Sequence, residues 1–369
     1  MNQLFRWDQT GLFLLALAAG ILPFAVPEVC AAALREGLTL CSGPLLLSLF
    51  PFLVVSRLLV QCPESDLLAL PFRLAAWGIG IRTPCAARVL CIGFLGGFAP
   101  AASAAAQAVR TGQLTAEEAD ALLPACICSG PSFVVLTVGQ SLLGSAELGV
   151  LLFASQITAN YLTAALLNRF AGVRSVKPGS AAPASPASPR LDEILADAAI
   201  TYCKLCGFIL FFRMLAAGAG ALLPAGAGTL CAVLLEVCSG CDLASRTGRW
   251  GSLLCCAALS VQGLSVLLQV RTICPPEMTL RPLYRARMLH LPLSLALFYL
   301  LLPGGEADVF STLPARVLLM RRVPPDCALL VFAVCCMAAC TLRSGIRQVE
   351  QKQMARNAGG CCINSKTLL

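Results

Sequence analysis

Few side chains among these 369 residues are equipped for chemistry, and those few stand in apolar surroundings. Glu236, in the run TLCAVLLEVCSG, is the one carboxylate well inside a clearly apolar segment. An acid at the centre of a membrane helix costs about 2.5–3.5 kcal/mol on insertion scales, so such residues usually face a cavity or a partner. Two readings follow: a ligand for a proton, cation or solute, or an acid that ends a short helix at a wet interface. Ser129-Gly130-Pro131 and Ser239-Gly240 interrupt apolar runs. A broken helix presents free N–H and C=O groups, its N-termini favouring anions and its C-termini cations. The alternative is a kink packed against its neighbours. Gln262, Ser265 and Gln269 are spaced to share one helix face, either lining a cavity beside Gly263 or hydrogen-bonding across helices.

Enzyme chemistry finds no such footing. The sole histidine, His290, follows Arg285 and Arg287 near an expected helix start, where an interfacial role is the natural one. GxSxG, HExxH and P-loop patterns are absent, so no catalytic residue and no cofactor is assigned, and ATP-driven transport by this chain alone is not expected. Two CxxC spacings occur, Cys203/Cys206 and Cys238/Cys241, but with 21 cysteines mostly inside apolar runs, chance accounts for them. No metal site is expected.

The elements that must position these residues are set by composition. Hydrophobic residues make up 58% and charged residues 12%, against about 25% charged in ordinary soluble domains. Mean hydropathy is +0.80. The expected class is an all-α polytopic membrane protein. A membrane barrel would need short alternating strands, whereas the apolar runs here are long and unalternated. The net charge of +8 falls in loops and tail, as the positive-inside rule requires, and no basic stretch is interleaved with aromatics that could stack bases. Nucleic acid is therefore not an expected partner.

The stretch Gly93–Gly139 organises the chain. It is apolar but broken at Gly96-Gly97-Phe98-Ala99-Pro100 and again at Ser129-Gly130-Pro131, with a further interruption expected at Pro124. Non-helical backbone is tolerated in lipid only where it is buried in protein or lines a wet cavity, so a re-entrant hairpin or discontinuous helices are predicted. Thr115 and Glu118 are spaced as a capping box. Gly93 and Gly97 form GxxxG, for which close helix packing is the simpler account. Apolar segments at 11–27, 44–60 (kinked at Pro51), 118–142, 146–168, 198–223, 250–270, 284–303 and 324–342, with dips at 84–109 and 224–243, give eight spans and two re-entrant segments. Residues 171–190 (AGVRSVKPGSAAPASPASPR) form a solvated linker between two halves. The domains are thus 1–170, with a broken hairpin at 84–142; the linker 171–190; 191–342, with a broken pair at 224–270; and a basic tail, 343–369. Five apolar segments per half suggest an internal repeat. Basic residues in the linker, in the loop after 270 (Arg271, Arg281, Arg285, Arg287) and in the tail put both termini in the cytoplasm.

The ordered set Gly97-Phe98-Ala99-Pro100, Glu117-Glu118-Ala119, Cys126-Ile127-Cys128-Ser129-Gly130-Pro131, Leu234-Leu235-Glu236 with Ser239-Gly240, and Gly263-Leu264-Ser265-Val266 with Gln269 resembles the sporulation integral membrane protein YlbJ family. That family carries the nucleoside-recognition Gate domain, similar to the hairpin regions of concentrative nucleoside transporters. The resemblance covers nearly the whole chain, including RPLYRARMLH. It departs at the first motif, where GFAPAAS stands for GYPxGAK and Ser103 takes a position where Lys is common. What it implies is a multi-pass cell-membrane protein linked to spore formation, for which transport is plausible; the site expected for a small polar solute is made by the broken segments and lined by Gly97, Ser103, Ser129, Gly130, Pro131, Glu236, Ser239, Gly240, Gln262, Gly263, Ser265 and Gln269. The rival expectation is a membrane scaffold that assembles partners. The partners admitted are the lipid bilayer, a small polar solute, a coupling ion and further copies of the chain.

Overall fold

The computed structural model describes residues 9–61, 67–171 and 191–302. The linker after its first residue, the apolar segment 324–342 and the tail 343–369 lie outside the described residues. Among the described residues every regular element is helical. The order is α1 (Gln9–Ala25), α2 (Pro27–Leu40), a π turn (Cys41–Leu45), α3 (Leu46–Gln61), α4 (Leu70–Gly78), α5 (Pro84–Gly96), α6 (Phe98–Arg110), α7 (Ala116–Cys126) and a π-helix (Ser132–Leu142). There follow α8 (Ala146–Ala171), α9 (Leu191–Leu222), α10 (Ala225–Leu235), α11 (Val237–Ser245), α12 (Gly251–Val261), α13 (Gly263–Ile273) and α14 (Arg281–Leu301).

Local chemistry explains the starts. Prolines open α2, α4, α5 and α14 within their first two positions, where a missing N–H leaves nothing unpaired. α7 begins with the expected capping box: Thr115 Oγ1 accepts from Glu118 N at 3.1 Å, and the Glu118 carboxylate accepts from Thr115 N at 3.2 Å. Pro124 does not interrupt α7 as expected. It lies in the last turn, where one lost hydrogen bond removes little before the helix ends at Cys126.

Among the described residues, three helical stretches are long and apolar enough to cross a bilayer: Ala146–Ala171, Leu191–Leu222 and Gly248–Ile273. The pair Leu15–Ala25 and Pro27–Gly43, bent by 108°, makes a fourth if counted as one span. Other apolar helices, such as Leu49–Val60 and Pro84–Gly96, fall short of spanning length, the latter because a break cuts its run. Large apolar side chains point outward, among them Phe24, Phe170 and Leu300, each more than 75% exposed. A soluble protein would hide such a surface, and lipid would not penalise it.

The breaks differ in shape. α5 and α6 fold back on each other at Gly97, so that a Cβ at Gly93 would lie 3.2 Å from the Ala101 Cβ. α10 and α11 fold back at Glu236, bringing Gly240 against the Val233 backbone, where a Cβ would approach Val233 Cα to 2.8 Å. Ser239-Gly240 is therefore not a break, as expected from the sequence, but lies in the first turns of α11. Its glycine permits the hairpin to close. α6 is encased: Ala99, Ala101, Ala102, Ala104, Ala105, Ala106 and Ala108 are all fully buried. Its small side chains let several helices approach it at once.

Gly97 is the position this geometry depends on most directly. Its φ of 82° is left-handed, and a Cβ there would stand 2.7 Å from Gly130 N. Gly97→Ala should lower stability by about 2–4 kcal/mol, combining left-handed strain with overpacking. Gly80→Ala shares the positive φ but meets nothing within 4 Å, and should lose only about 1–2 kcal/mol. Thermal unfolding of both variants in detergent measures the difference.

Candidate functional site: a crossing of four helix breaks

Four interruptions meet in the interior: Gly97, residues 127–130, Glu236 and Gln262. A chain of close approaches joins them. Gly97 abuts the backbone of Cys128 and Gly130, Ser129 Oγ accepts from Gln262 Nε2 at 3.5 Å, and Gly263 lies against the Leu235–Glu236 backbone, where a Cβ would stand 3.0 Å from Glu236 N. The two broken regions thus touch through Ser129 and Gln262. Four half-helices direct carbonyl ends toward this crossing and four direct N-terminal ends.

Each break has its own cause. Glu236 has an extended backbone (φ −151°, ψ 127°) and its carboxylate caps α11, accepting from Cys238 N at 2.8 Å and Ser239 N at 2.7 Å. An anion at a helix N-terminus is favoured by the macrodipole. Glu236 is only 2% exposed, so it is a helix-end acid but not a wet one. Gln262 takes a left-handed conformation (φ 66°) followed by Gly263 (φ 69°), which ends α12 and starts α13. Left-handed backbone outside glycine stores about 1–2 kcal/mol. The stripe of Gln262, Ser265 and Gln269 on one helix face is accordingly corrected. Gln262 belongs to the break, while Gln269 Nε2 donates to Ser265 Oγ at 2.9 Å within α13. Pro131 opens the π-helix, where its lack of an N–H is harmless.

Ser103 is drawn elsewhere: Arg57 Nε donates to its hydroxyl at 3.3 Å. The guanidinium of Arg57, from α3, thus reaches Ser103 on α6. Ser239 contributes its backbone N–H to Glu236, and Gly240 serves packing.

The crossing is closed to solvent. Glu236, Gln262, Ser265 and Gln269 are each at most 2% exposed, and Ser129 6%. Among the described residues, Gln262 Oε1 and Gln269 Oε1 are buried without a hydrogen-bond partner. Buried polar atoms are nearly always satisfied, so two unpaired amide acceptors in one region call for an explanation.

Arg287 is the residue that sequence reasoning missed. Taken as a loop charge that sets topology, it is instead buried within α14. It donates from Nη2 to Ile127 O at 2.8 Å and Asn160 Oδ1 at 3.3 Å, and from Nη1 to Ser260 O at 3.4 Å. Ile127 ends α7 and Ser260 lies in the last turn of α12, so the guanidinium joins two half-helix C-termini. Each such end carries roughly half a negative charge, and the pair balances the cation without a carboxylate. His290 is corrected likewise. It is buried at 1% exposure rather than interfacial, with Nε2 3.2 Å from Gln156 O. Gln156 Nε2 donates to Ser260 Oγ at 2.9 Å, and Ser260 pairs with Ser294 at 2.5 Å. The spacing of Arg287, His290 and Ser294 is the same three-and-four pattern that singled out Gln262, Ser265 and Gln269, so a signal for this seam was present in the sequence.

Asp120, on α7, accepts from Thr279 N (2.8 Å), Thr279 Oγ1 (2.7 Å) and Leu280 N (3.1 Å), tying the first broken region to the start of α14. The CxxC pairs stay on separate helices, α9 and α11, with all four thiols free. No family model, curated protein or solved structure matches the chain.

Arg287→Met should strand the Ile127 and Ser260 carbonyls and cost about 2–5 kcal/mol. Arg285→Met, at an exposed position of the same helix, should stay within about 0.5 kcal/mol of the parent. Unfolding monitored by thiol accessibility at the buried Cys128 and Cys256 reports both.

Proposed function

We propose that the chain is a multi-pass cell-membrane transporter of the YlbJ type, moving a small polar solute through the crossing of its four helix breaks. Eight spans, two re-entrant hairpins and two related halves with both termini in the cytoplasm are the topology that goes with it, and a role in spore formation follows from the resemblance. Coupling to an ion gradient is the fitting energy source, since no nucleotide-binding motif exists. Catalysis forms no part of this reading.

One observation carries the proposal: four breaks from separate segments converge on buried polar groups that include unpaired amide acceptors. Interrupted helices are tolerated in lipid where the break is buried in protein or lines a wet cavity, and transporters build midplane sites from such breaks. The fold-back hairpins α5–α6 and α10–α11, each contacting a broken helix pair, give the crossing parts that can move against one another.

The test begins with metabolite profiles of forespore and mother cell with and without the protein, which nominate a cargo. Uptake of that cargo is then measured in proteoliposomes. Glu236→Gln, Ser129→Ala and Gln262→Ala should each lower uptake roughly tenfold or more at unchanged protein level, as loss of a buried hydrogen-bonding group does. Parental uptake and normal sporulation in all three variants would sink the proposal, and a phenotype confined to linker or tail deletions would favour the scaffold.

A further inference from the structure

A second polar feature lies well away from the crossing. Beyond Ser103, toward the C-terminal end of α6, a cavity of about 170 Å³ opens between α3, α6, α9 and α13. Its charged lining is Arg57, Arg110, Lys204 and Asp197, with the hydroxyls of Thr201 and Thr272. Three cations face one carboxylate, leaving an excess of two positive charges in a pocket of small volume.

The roles of these groups differ. Arg57 is 7% exposed and forms the floor. Its Nη1 pairs with Asp197 Oδ2 at 2.6 Å, its Nη2 donates to Thr201 Oγ1 at 3.2 Å, and its Nε donates to Ser103 Oγ. A guanidinium has five N–H donors, so two remain for a ligand. Arg110 and Lys204 are exposed and form the rim. Arg110 gives one bond, Nη2 to Ile273 O at 3.3 Å. Lys204 makes no hydrogen bond or ion pair among the described residues. Asp197 neutralises Arg57, and nothing in the lining neutralises the rim.

We infer that this pocket binds a phosphate group, held by Arg57 at the floor and by Arg110 and Lys204 at the rim. The charge excess matches a phosphate monoester dianion or, with water, a phosphodiester. The planar forks of two arginines suit its oxygens, and the lysine adds a mobile point charge. The volume takes a phosphate with little attached to it, so any larger part of the ligand must lie outside. Two sources share this chemistry: a phospholipid headgroup and a soluble phosphate. α9 has 32 residues, more than the roughly 20 that cross the hydrocarbon. The cavity meets its N-terminal half, which carries Asp192, Glu193, Asp197 and Lys204, so both sources can reach it. The inference stands independently of transport at the crossing.

The test uses the full chain purified in uncharged detergent. Calorimetric titration with inorganic phosphate is one arm. Native mass spectrometry with phosphatidic acid or phosphatidylglycerol against phosphatidylcholine is the other. At least one arm should show binding, and Arg110→Ala/Lys204→Ala should weaken it roughly tenfold or more, as expected for removing charge-assisted hydrogen bonds. Lys204→Arg should retain it. Binding in the first arm identifies a soluble phosphate, and selectivity for anionic lipid in the second alone identifies a headgroup. Either result supports the site. Both altered side chains are exposed, so the double variant should keep the parental unfolding temperature, and Lys204→Glu serves as a second variant should it fail to fold. Absence of binding in both arms, or equal binding by parent and charge-deficient variant, overturns the inference.

Discussion

The interior of this protein depends on how carbonyl groups at helix breaks are satisfied out of reach of water. Arg287 answers that requirement at two breaks together. Its guanidinium bonds Ile127 O at the end of α7 and Ser260 O at the end of α12. A buried cation is ordinarily a liability, and a carboxylate partner recovers only part of the desolvation penalty. Here the counter-charge is distributed over two helix ends and involves no acid. At the opposite polarity Glu236 does the same for the N-terminus of α11. Side-chain charges and backbone dipoles are thus matched in sign at the points where the helices are cut.

Around those matches the two broken regions are locked in register. Asp120 fastens α7 to the start of α14, α14 delivers Arg287 back to the end of α7, and Ser129 reaches Gln262. The closed loop of contacts passes through both halves of the chain. Disturbing one break therefore loads the others.

How much of this was legible in the sequence varied with the physics of each feature. The breaks at Gly97 and at 127–130 could be read because glycine and proline punctuate locally, and the capping box of α7 because its partners are three residues apart. The break at Glu236 was placed three residues late, at Ser239-Gly240, since a carboxylate that caps from an extended backbone needs no glycine beside it. Gln262-Gly263 stood out as polar in its span, but was placed on a helix face and not at a break, because the run still reads as one helix by length and hydropathy. Arg287 was misassigned because its partners lie 160 residues away at Ile127 and 27 at Ser260, a pairing that no local pattern encodes. The apolar class and helical architecture, which depend on composition summed over long stretches, were evident from the outset.

The encased helix α6 has a mechanical consequence. Helices ordinarily hold their axial position because side-chain ridges sit in a neighbour's grooves. Seven of the 13 residues of α6 are alanine, so its ridges are shallow and interdigitation resists sliding along the axis less than it would for larger side chains. Packing of the alanine face therefore holds α6 more firmly sideways than along its length. Its axial position is also fixed at discrete points: the Gly97 backbone against Gly130, Ser103 under Arg57, and Arg110 against Ile273 O. Two of those three pins are guanidinium groups at the polar pocket. The pocket and the crossing thus bear on opposite ends of one helix.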